Sequence, residues 1–298
     1  MIDINISGKT KIAGILGNPV AHSLSPKIHN HLFQMLGVDA VYVPFQIENE
    51  SDVESFVKTF RAANFLGCNI TIPYKSSVLP FVDKIDEVSK IAKAANTLFW
   101  KDGELWADTT DFWGFMEALK RDNFDLTDKN AVFLGNGGVA RTLAAVAASK
   151  SSSAFRNYPK SISLVGRNVQ KLENLADEIA QKTKFGVSYF LFEDAKETIK
   201  NADIIINCTS VGMHPFVDES PLDISLVSPK TYLFDTIYSP LETKFLRDGK
   251  ANGNKTRHGI CMLIYQALAS FYFWTQKDLT GDYDLVLELE KLLLVEGL

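Results

Sequence analysis

Cysteine is scarce in this sequence. Cys68, Cys208 and Cys261 are all there are in 298 residues, and no two stand as a CxxC pair. An odd, scattered set excludes a disulfide framework and fits buried thiols in a reducing cytosol. Long apolar runs are missing too. The oiliest stretch, Met262 to Trp274, is interrupted by Gln266 and is too short to span a bilayer. Met1 to Lys11 carries Asp3 and has no apolar core, so it is not a secretory signal. Positive charge is not in excess: 31 Lys and Arg stand against 36 Asp and Glu, a net charge of −5. That balance gives no electrostatic reason to bind nucleic acid or an anionic membrane, although a local basic pocket for a small anion stays open. There is no internal repeat and no long low-complexity tract. The expectation is a soluble cytoplasmic protein, long enough for two domains.

What is present is alternation. Lys11 to Gly17 reads as a strand ending in the turn signal Gly17-Asn18-Pro19. Ser25-Pro26 opens a helix to about Leu36, with serine as the cap and proline in the first turn. Ala40 to Ile47 is a strand, Ser51 to Ala63 a helix, and Leu66 to Ile72 a strand stopped by Pro73. Short strands follow at Asn96 to Trp100 and Glu104 to Ala107, then a helix over Asp111 to Arg121. A second series begins with a strand at Asn130 to Leu134 and an alanine-rich helix to about Ser149. A loose serine-rich connection, Lys150 to Pro159, leads to a strand over Lys160 to Val165 and an amphipathic helix over Val169 to Lys182. Asp203 to Asn207 and Thr231 to Phe234 are further strands. Helices over Gly259 to Thr275 and Tyr283 to Val295 close the chain. The pattern is α/β, with mostly parallel sheets.

Between the strand at Asn130 and its helix lies Gly135-x-Gly137-x-x-Ala140. This is a dinucleotide fingerprint with alanine in the third position. Gly135 permits the tight turn, Gly137 a close approach to a pyrophosphate, and Ala140 close helix–strand packing. The helix N-terminus offers free N–H groups to phosphate. After the next strand come Gly166-Arg167-Asn168 and Lys171, with no carboxylate from Val165 to Leu172. NAD-binding folds usually place an acid there for the ribose 2′-hydroxyl. A 2′-phosphate instead needs cations, which Arg167 and Lys171 supply. The plain alternative is that Arg167 and Lys171 are ordinary surface charges.

Four polar clusters lie at strand ends or helix starts ahead of the glycine turn: Ser23-Leu24-Ser25-Pro26, Asn69-x-Thr71-x-Pro73-x-Lys75, Ala95-Asn96-Thr97, and Thr110-Asp111. Asn69 and Thr71, two apart on a strand, share one face. Singly each cluster has a plain explanation: Ser25 caps a helix, Asp111 starts one, and Lys75 is a loop lysine. Together and in this order they resemble the shikimate dehydrogenase family. The likeness continues in Asn207-Cys208-Thr209-Ser210-x-Gly212-Met213, Asp235-x-x-Tyr238 and Gly259-x-x-Met262-Leu263-x-x-Gln266-Ala267, and so covers nearly the whole chain.

The resemblance implies a two-domain α/β architecture. Residues 1–110 with 259–298 would form a substrate domain completed by the C-terminal helices, and residues 111–258 a Rossmann-type NADP(H) domain. It implies that Lys75 is catalytic, paired with Asp111. Ser23 and Ser25 would hold the substrate carboxylate, and Asn69, Thr71, Asn96, Asp111 and Gln266 the ring hydroxyls. Tyr238 would reach the substrate. Gly135, Asn136, Gly137, Gly138, Val139, Ala140, Arg167, Asn168, Lys171, Thr209, Ser210, Gly259 and Met262 would surround the cofactor. The implied reaction is reversible reduction of 3-dehydroshikimate with NADPH in the shikimate pathway, by a monomer or homodimer. Elementary chemistry agrees. A ketone reduced by hydride needs a proton for the nascent alkoxide; a lysine supplies it, and a neighbouring carboxylate keeps that lysine charged.

Three positions depart from the family pattern: Asn136 stands for alanine, Thr109 for asparagine, and Gly166 for asparagine. Competing readings are a quinate or quinate/shikimate dehydrogenase, a ligand-sensing regulator that kept the fold, and an unrelated Rossmann protein. The serines Ser23 and Ser25 favour shikimate over quinate. Lys75 and Asp111 argue against a regulator. His29 and His31, two apart on a helix, do not face each other and make no metal pair. His22 sits beside the serine motif, and His214 reads as exposed. Cys208 reads as a small buried thiol, and Phe271 to Trp274 as helix core.

Overall fold

The computed structural model describes residues 6–149 and 158–294. The connection read from Lys150 onward therefore lies, up to residue 157, outside the described residues. The chain divides into two compact units, Met1–Gly114 with Ile264–Gly297, and Phe115–Leu263. Both crossings fall inside helices, at Asp111–Arg121 and Ile260–Thr275.

In chain order the first unit begins β1 (Lys11–Gly17), α1 (Ser25–Met35), β2 (Ala40–Gln46), α2 (Val53–Ala62), β3 (Gly67–Ile70), β4 (Lys84–Ile85), α3 (Glu87–Ala92), β5 (Thr97–Lys101), β6 (Glu104–Asp108) and α4 (Asp111–Arg121). The second unit follows with β7 (Asn130–Leu134), α5 (Gly138–Ala148), β8 (Ser161–Gly166), α6 (Val169–Thr183), β9 (Val187–Leu191), α7 (Lys196–Lys200), β10 (Ile204–Asn207), β11 (Tyr232–Asp235), α8 (Lys244–Ala251) and β12 (Thr256–Arg257). Then α9 (Ile260–Thr275) and α10 (Tyr283–Leu294) complete the chain.

Among the described residues each unit holds one six-stranded sheet. The first is ordered β2-β1-β3-β5-β6-β4 and is parallel apart from one strand, β5, which runs antiparallel to both β3 and β6. The cause is local. Asp102 and Gly103, both at positive φ (53° and 78°), form a two-residue turn that folds β6 straight back on β5. Helix α2 seals one part of this sheet with Val53, Val57 and Phe60, spaced for a single helical face. Helix α9 packs so close that a Cβ on Gly67 would sit 2.0 Å from Trp274 Nε1; only glycine admits that indole, which donates to Leu98 O at 3.0 Å. The aromatic run of α9 is only partly core: Phe271 and Trp274 are buried, whereas Tyr272 is exposed. Four consecutive helical residues cannot all face one way.

The second sheet is parallel throughout, ordered β12-β11-β10-β7-β8-β9. Counted within the unit, this is the doubly wound order 3-2-1-4-5-6. The chain reverses direction of winding between β7 and β10, and the loops after those two strands open a crevice at their carboxyl ends. β7 and β10 are buried along nearly their whole length, as central parallel strands must be. The elements that the sequence did not announce, β4, α3, β9, α7, α8 and β12, are mostly short or at sheet edges. There, half-burial blurs the apolar pattern.

Candidate active site

In the first unit the C-terminal ends of β1, β3 and β6 and the N-terminal end of β5 share one edge of the sheet, since β5 alone is reversed. All four polar clusters lie on that edge. The loops are tied together by the backbone: Asn18 N donates to Ile72 O (2.9 Å), Thr71 N to Leu16 O (2.8 Å) and Ala95 N to Lys75 O (2.9 Å). β3 ends at Ile70, and Thr71 extends its ladder by that one further bond.

Lys75 Nζ donates to Asp111 Oδ2 at 2.6 Å, with side chains 17% and 10% exposed. The other Asp111 oxygen accepts from Asn96 Nδ2 at 2.9 Å. Asn96 is 3% exposed and is the hub of the site. Its Nδ2 also reaches Thr110 Oγ1 (3.0 Å) and Gln266 Oε1 (3.1 Å), and its Oδ1 accepts from Thr110 N (2.7 Å) and Thr97 Oγ1 (3.0 Å). Beneath it, Asn69 is fully engaged. Its Oδ1 accepts from Tyr42 Oη (2.8 Å), and its Nδ2 donates to Ser270 Oγ (2.9 Å), Asn96 O (3.1 Å) and Thr97 Oγ1 (3.2 Å). Six of the expected residues, Asn69, Thr71, Lys75, Asn96, Asp111 and Gln266, are thus gathered on one edge and on α9.

Ser23 and Ser25 stand at the start of α1. Here the expectation of Ser25 as helix cap needs correction. Leu24 occupies the cap position, Ser25 is the first helical residue, and no side chain caps the helix. Ser23 Oγ instead accepts from Ser25 N at 3.3 Å. Pro26 in the first turn removes a donor that a cap would have served.

Sequence reasoning missed Thr97, Ser270 and Tyr42 as supports. Ser270 was detectable: it lies four residues after Gln266, on the same face of an otherwise apolar helix. His29 is buried and stacks on Tyr42 with ring centroids 4.5 Å apart; burial holds its pKa down to about 3, so the ring is neutral. His31 pairs with Glu288 at 2.9 Å, and no metal-holding cluster occurs among the described residues. His22 and His214 are exposed.

In the second unit the glycine turn has the geometry its sequence requires. Gly135 has φ +104°, a conformation only glycine adopts freely, and its N donates to Val165 O at 2.7 Å. Gly137 precedes α5, which has no side-chain cap, so its first N–H groups are left for a ligand. A Cβ on Gly137 or Gly138 would meet nothing within 4 Å, whereas Ala140 is fully buried. Asn136 and Val139 are half-buried between them. This open cradle at a helix N-terminus fits a pyrophosphate. Arg167 and Lys171 are exposed after β8, and neither pairs with an acid among the described residues. Asn168 caps α6, its Oδ1 accepting from Lys171 N at 3.0 Å.

After β10, Thr209 is half-buried and Ser210 exposed. Cys208 is half-buried rather than buried, because it stands just past the strand end; its thiol is nonetheless pushed well above its ordinary range by desolvation. Tyr238 is half-buried, and burial raises its phenol pKa. Gly259 N donates to Ile237 O at 2.9 Å, while Met262 is 7% exposed. No helix among the described residues is long and apolar enough to cross a membrane.

A doubly wound unit with a glycine turn, joined in one chain to a mixed α/β unit bearing a lysine–carboxylate pair, defines a nucleotide-linked oxidoreductase. Residues 15–98 match the family described as shikimate dehydrogenase substrate binding domain, and residues 117–236 the family shikimate / quinate 5-dehydrogenase. A shikimate dehydrogenase (NADP(+)) of Caldanaerobacter subterraneus is 36% identical over 94% of this chain and 97% of its own length. A shikimate dehydrogenase solved in complex with NADP+ superposes with TM-score 0.86 at 32% identity, covering 97% of this chain and 98% of its own. Shikimate 5-dehydrogenase from Listeria monocytogenes, solved with shikimate and NAD, gives 0.87 at 30% identity with the same coverage. The chain belongs to the shikimate dehydrogenase family.

Proposed function

We propose that this chain reduces 3-dehydroshikimate to shikimate with NADPH, reversibly, in the cytoplasm. The observation that carries the proposal is the Lys75–Asp111 pair at 2.6 Å, held by Asn96 at an edge otherwise lined with hydroxyls and amides. The first unit serves as the substrate domain and the second as the cofactor domain.

NADPH, when bound, supplies the hydride; the protein supplies the proton and the field. An ammonium at Lys75 stabilises negative charge growing on the carbonyl oxygen and donates one proton to it, leaving the alcohol and a neutral amine. Asp111 orients the amine, which regains its proton from solvent. Asn96 fixes the carboxylate, so its second oxygen remains on Lys75. Thr71, Asn96 and Gln266 present the donors and acceptors that ring hydroxyls need, while Asn69, its amide wholly engaged within the protein, supports Asn96 from beneath rather than meeting the ring. Ser23 and Ser25 offer hydroxyls to the carboxylate. Gly135 to Ala140 cradle the pyrophosphate, Arg167 and Lys171 meet the 2′-phosphate, and Asn168 holds the turn that carries them. Thr209, Ser210, Gly259 and Met262 complete the cofactor surround, and the family resemblance assigns the Tyr238 hydroxyl to the substrate.

Initial rates with shikimate or quinate, each with NADP+ or NAD+, test the reading. The highest kcat/KM is expected for shikimate with NADP+. A higher value for quinate would move the chain to the quinate branch, and no turnover in any arm would refute an enzymatic role.

A further inference from the structure

Asp235 ends β11, at the floor of the second unit's loops, and is fully buried. It has three donors. Asn207 Nδ2 (3.1 Å) and Ile237 N (3.0 Å) share its Oδ1, and Thr243 Oγ1 bonds its Oδ2 at 2.6 Å. Asn207, which ends β10, passes the constraint on: its Oδ1 accepts from Thr209 N (3.0 Å) and Thr209 Oγ1 (2.7 Å), and its Nδ2 also reaches Val211 O (3.3 Å). Thr209 in turn abuts the glycine turn, its Cγ2 lying 3.0 Å from where a Gly135 Cβ would be. On the other side, Ile237 O accepts from Gly259 N at 2.9 Å. One carboxylate therefore underlies Thr209 and Ser210, the start of the Ile237–Tyr238 segment, and Gly259.

We infer that Asp235 is a positioning residue that sets the cofactor loop through Asn207 and the Tyr238 segment through the Ile237 N–H, without itself touching either ligand. The inference rests on the proposed roles of Thr209, Ser210 and Tyr238. Acceptor geometry is what the site demands. Asn207 Nδ2 and the Ile237 N–H can only donate, so they require oxygen at Oδ1. Thr243 can reverse its hydroxyl and accept instead. An amide at 235 thus meets every partner, and a methyl meets none. Burial raises the Asp235 carboxyl to about 6, against the pull of its three donors, so at neutral pH it is the acceptor-only form.

The test compares wild type with Asp235→Asn, Asp235→Ala and Asn207→Ala. NADPH binding is read by fluorescence, shikimate KM and kcat by initial rates, and backbone hydrogen exchange in residues 207–213 and 236–239 without ligand. Asp235→Ala is expected to weaken NADPH binding at least tenfold, raise shikimate KM, and lose exchange protection in both segments. Asp235→Asn should stay within threefold of wild type in all readings. Asn207→Ala should weaken NADPH binding and deprotect residues 207–213 while leaving shikimate KM within twofold. Should Asp235→Ala not fold, the contrast between Asp235→Asn and Asn207→Ala carries the same decision. The inference is overturned if Asp235→Ala melts lower yet binds NADPH normally with protection intact, if Asp235→Asn falls as far as Asp235→Ala, or if Asn207→Ala binds NADPH normally. A wild-type protein that bound no NADPH would strike the functional reading instead, and exchange protection would still decide the positioning.

Discussion

Replacing Asp108 with asparagine should stabilise the protein at alkaline pH and leave it unchanged in strong acid. Asp108 closes β6 immediately before Thr109-Thr110-Asp111 and is 8% exposed. Burial drives its carboxyl from the ordinary 3.8 up to about 7; the Asp86 carboxylate adds to the rise, and the Thr109 N–H, 2.5 Å from Oδ1, offsets part of it. The sign follows from proton counting. Between pH 4 and 7 the folded chain holds a proton that the unfolded chain has released, so this residue's contribution to stability falls as pH rises through that window and is lost above it. A gap of about three units at about 1.4 kcal/mol each bounds the loss at about 4 kcal/mol, and relaxation around the charge brings the expected value to roughly 2 kcal/mol. Asparagine keeps an oxygen for the Thr109 N–H and carries no charge to desolvate. Thermal melts of both proteins at pH 5 and pH 8 decide the matter. The variant should melt about 1–3 °C above wild type at pH 5, where about a third of the loss has accrued, and about 4–8 °C above it at pH 8, on the scaling of about 2–4 °C per kcal/mol for domains of this size. An equal Tm difference at both pH values, or a less stable variant at pH 8, would refute the reasoning.

Three further outcomes are expected. Lys75→Ala should lower kcat by about 10²–10⁴-fold while shikimate still binds, and a loss under tenfold in steady-state rates would remove the lysine from the chemistry. Ser23→Ala and Ser25→Ala should raise shikimate KM more than they lower kcat, because the carboxylate they would hold does not react; each lost bond to that charge is worth roughly 1.5–3 kcal/mol. Ser25 caps nothing, but its buried hydroxyl meets the Tyr42 phenol, so its replacement should also cost about 1 kcal/mol of stability, and that loss with unchanged KM would assign it to folding alone. Arg167→Ala should lower kcat/KM for NADP+ and spare NAD+, so an unchanged NADP+/NAD+ ratio would show the guanidinium to be an ordinary surface charge.

Much of this was legible in order along the chain. The bounds of α4 and β7, the first strand of the second unit, and the glycine turn follow from local chemistry: apolar periodicity, a residue free at positive φ, a helix start. The antiparallel return at Asp102-Gly103 was also written there, as a two-residue turn that the alternation of elements hid. The cap at Ser25 was misread for a local reason too. Leu24, one residue earlier, takes the cap position, and a hydroxyl in the sequence does not say which backbone N–H it will meet.

By itself the sequence determined which residues carry chemistry and which elements hold them, because those depend on neighbours within a few positions. Tertiary structure alone decided which of them meet. Asn96 reaches Gln266 across 170 residues, and Asn69 reaches Ser270 across 201. Those partners are joined by the return of α9 over the first sheet, which hangs on the missing Cβ of Gly67 beneath Trp274. The reversal of β5 likewise brings Asn96 to the edge that carries Lys75 and Asp111. Such pairings depend on closing long loops and filling a shared core, and no local pattern records either.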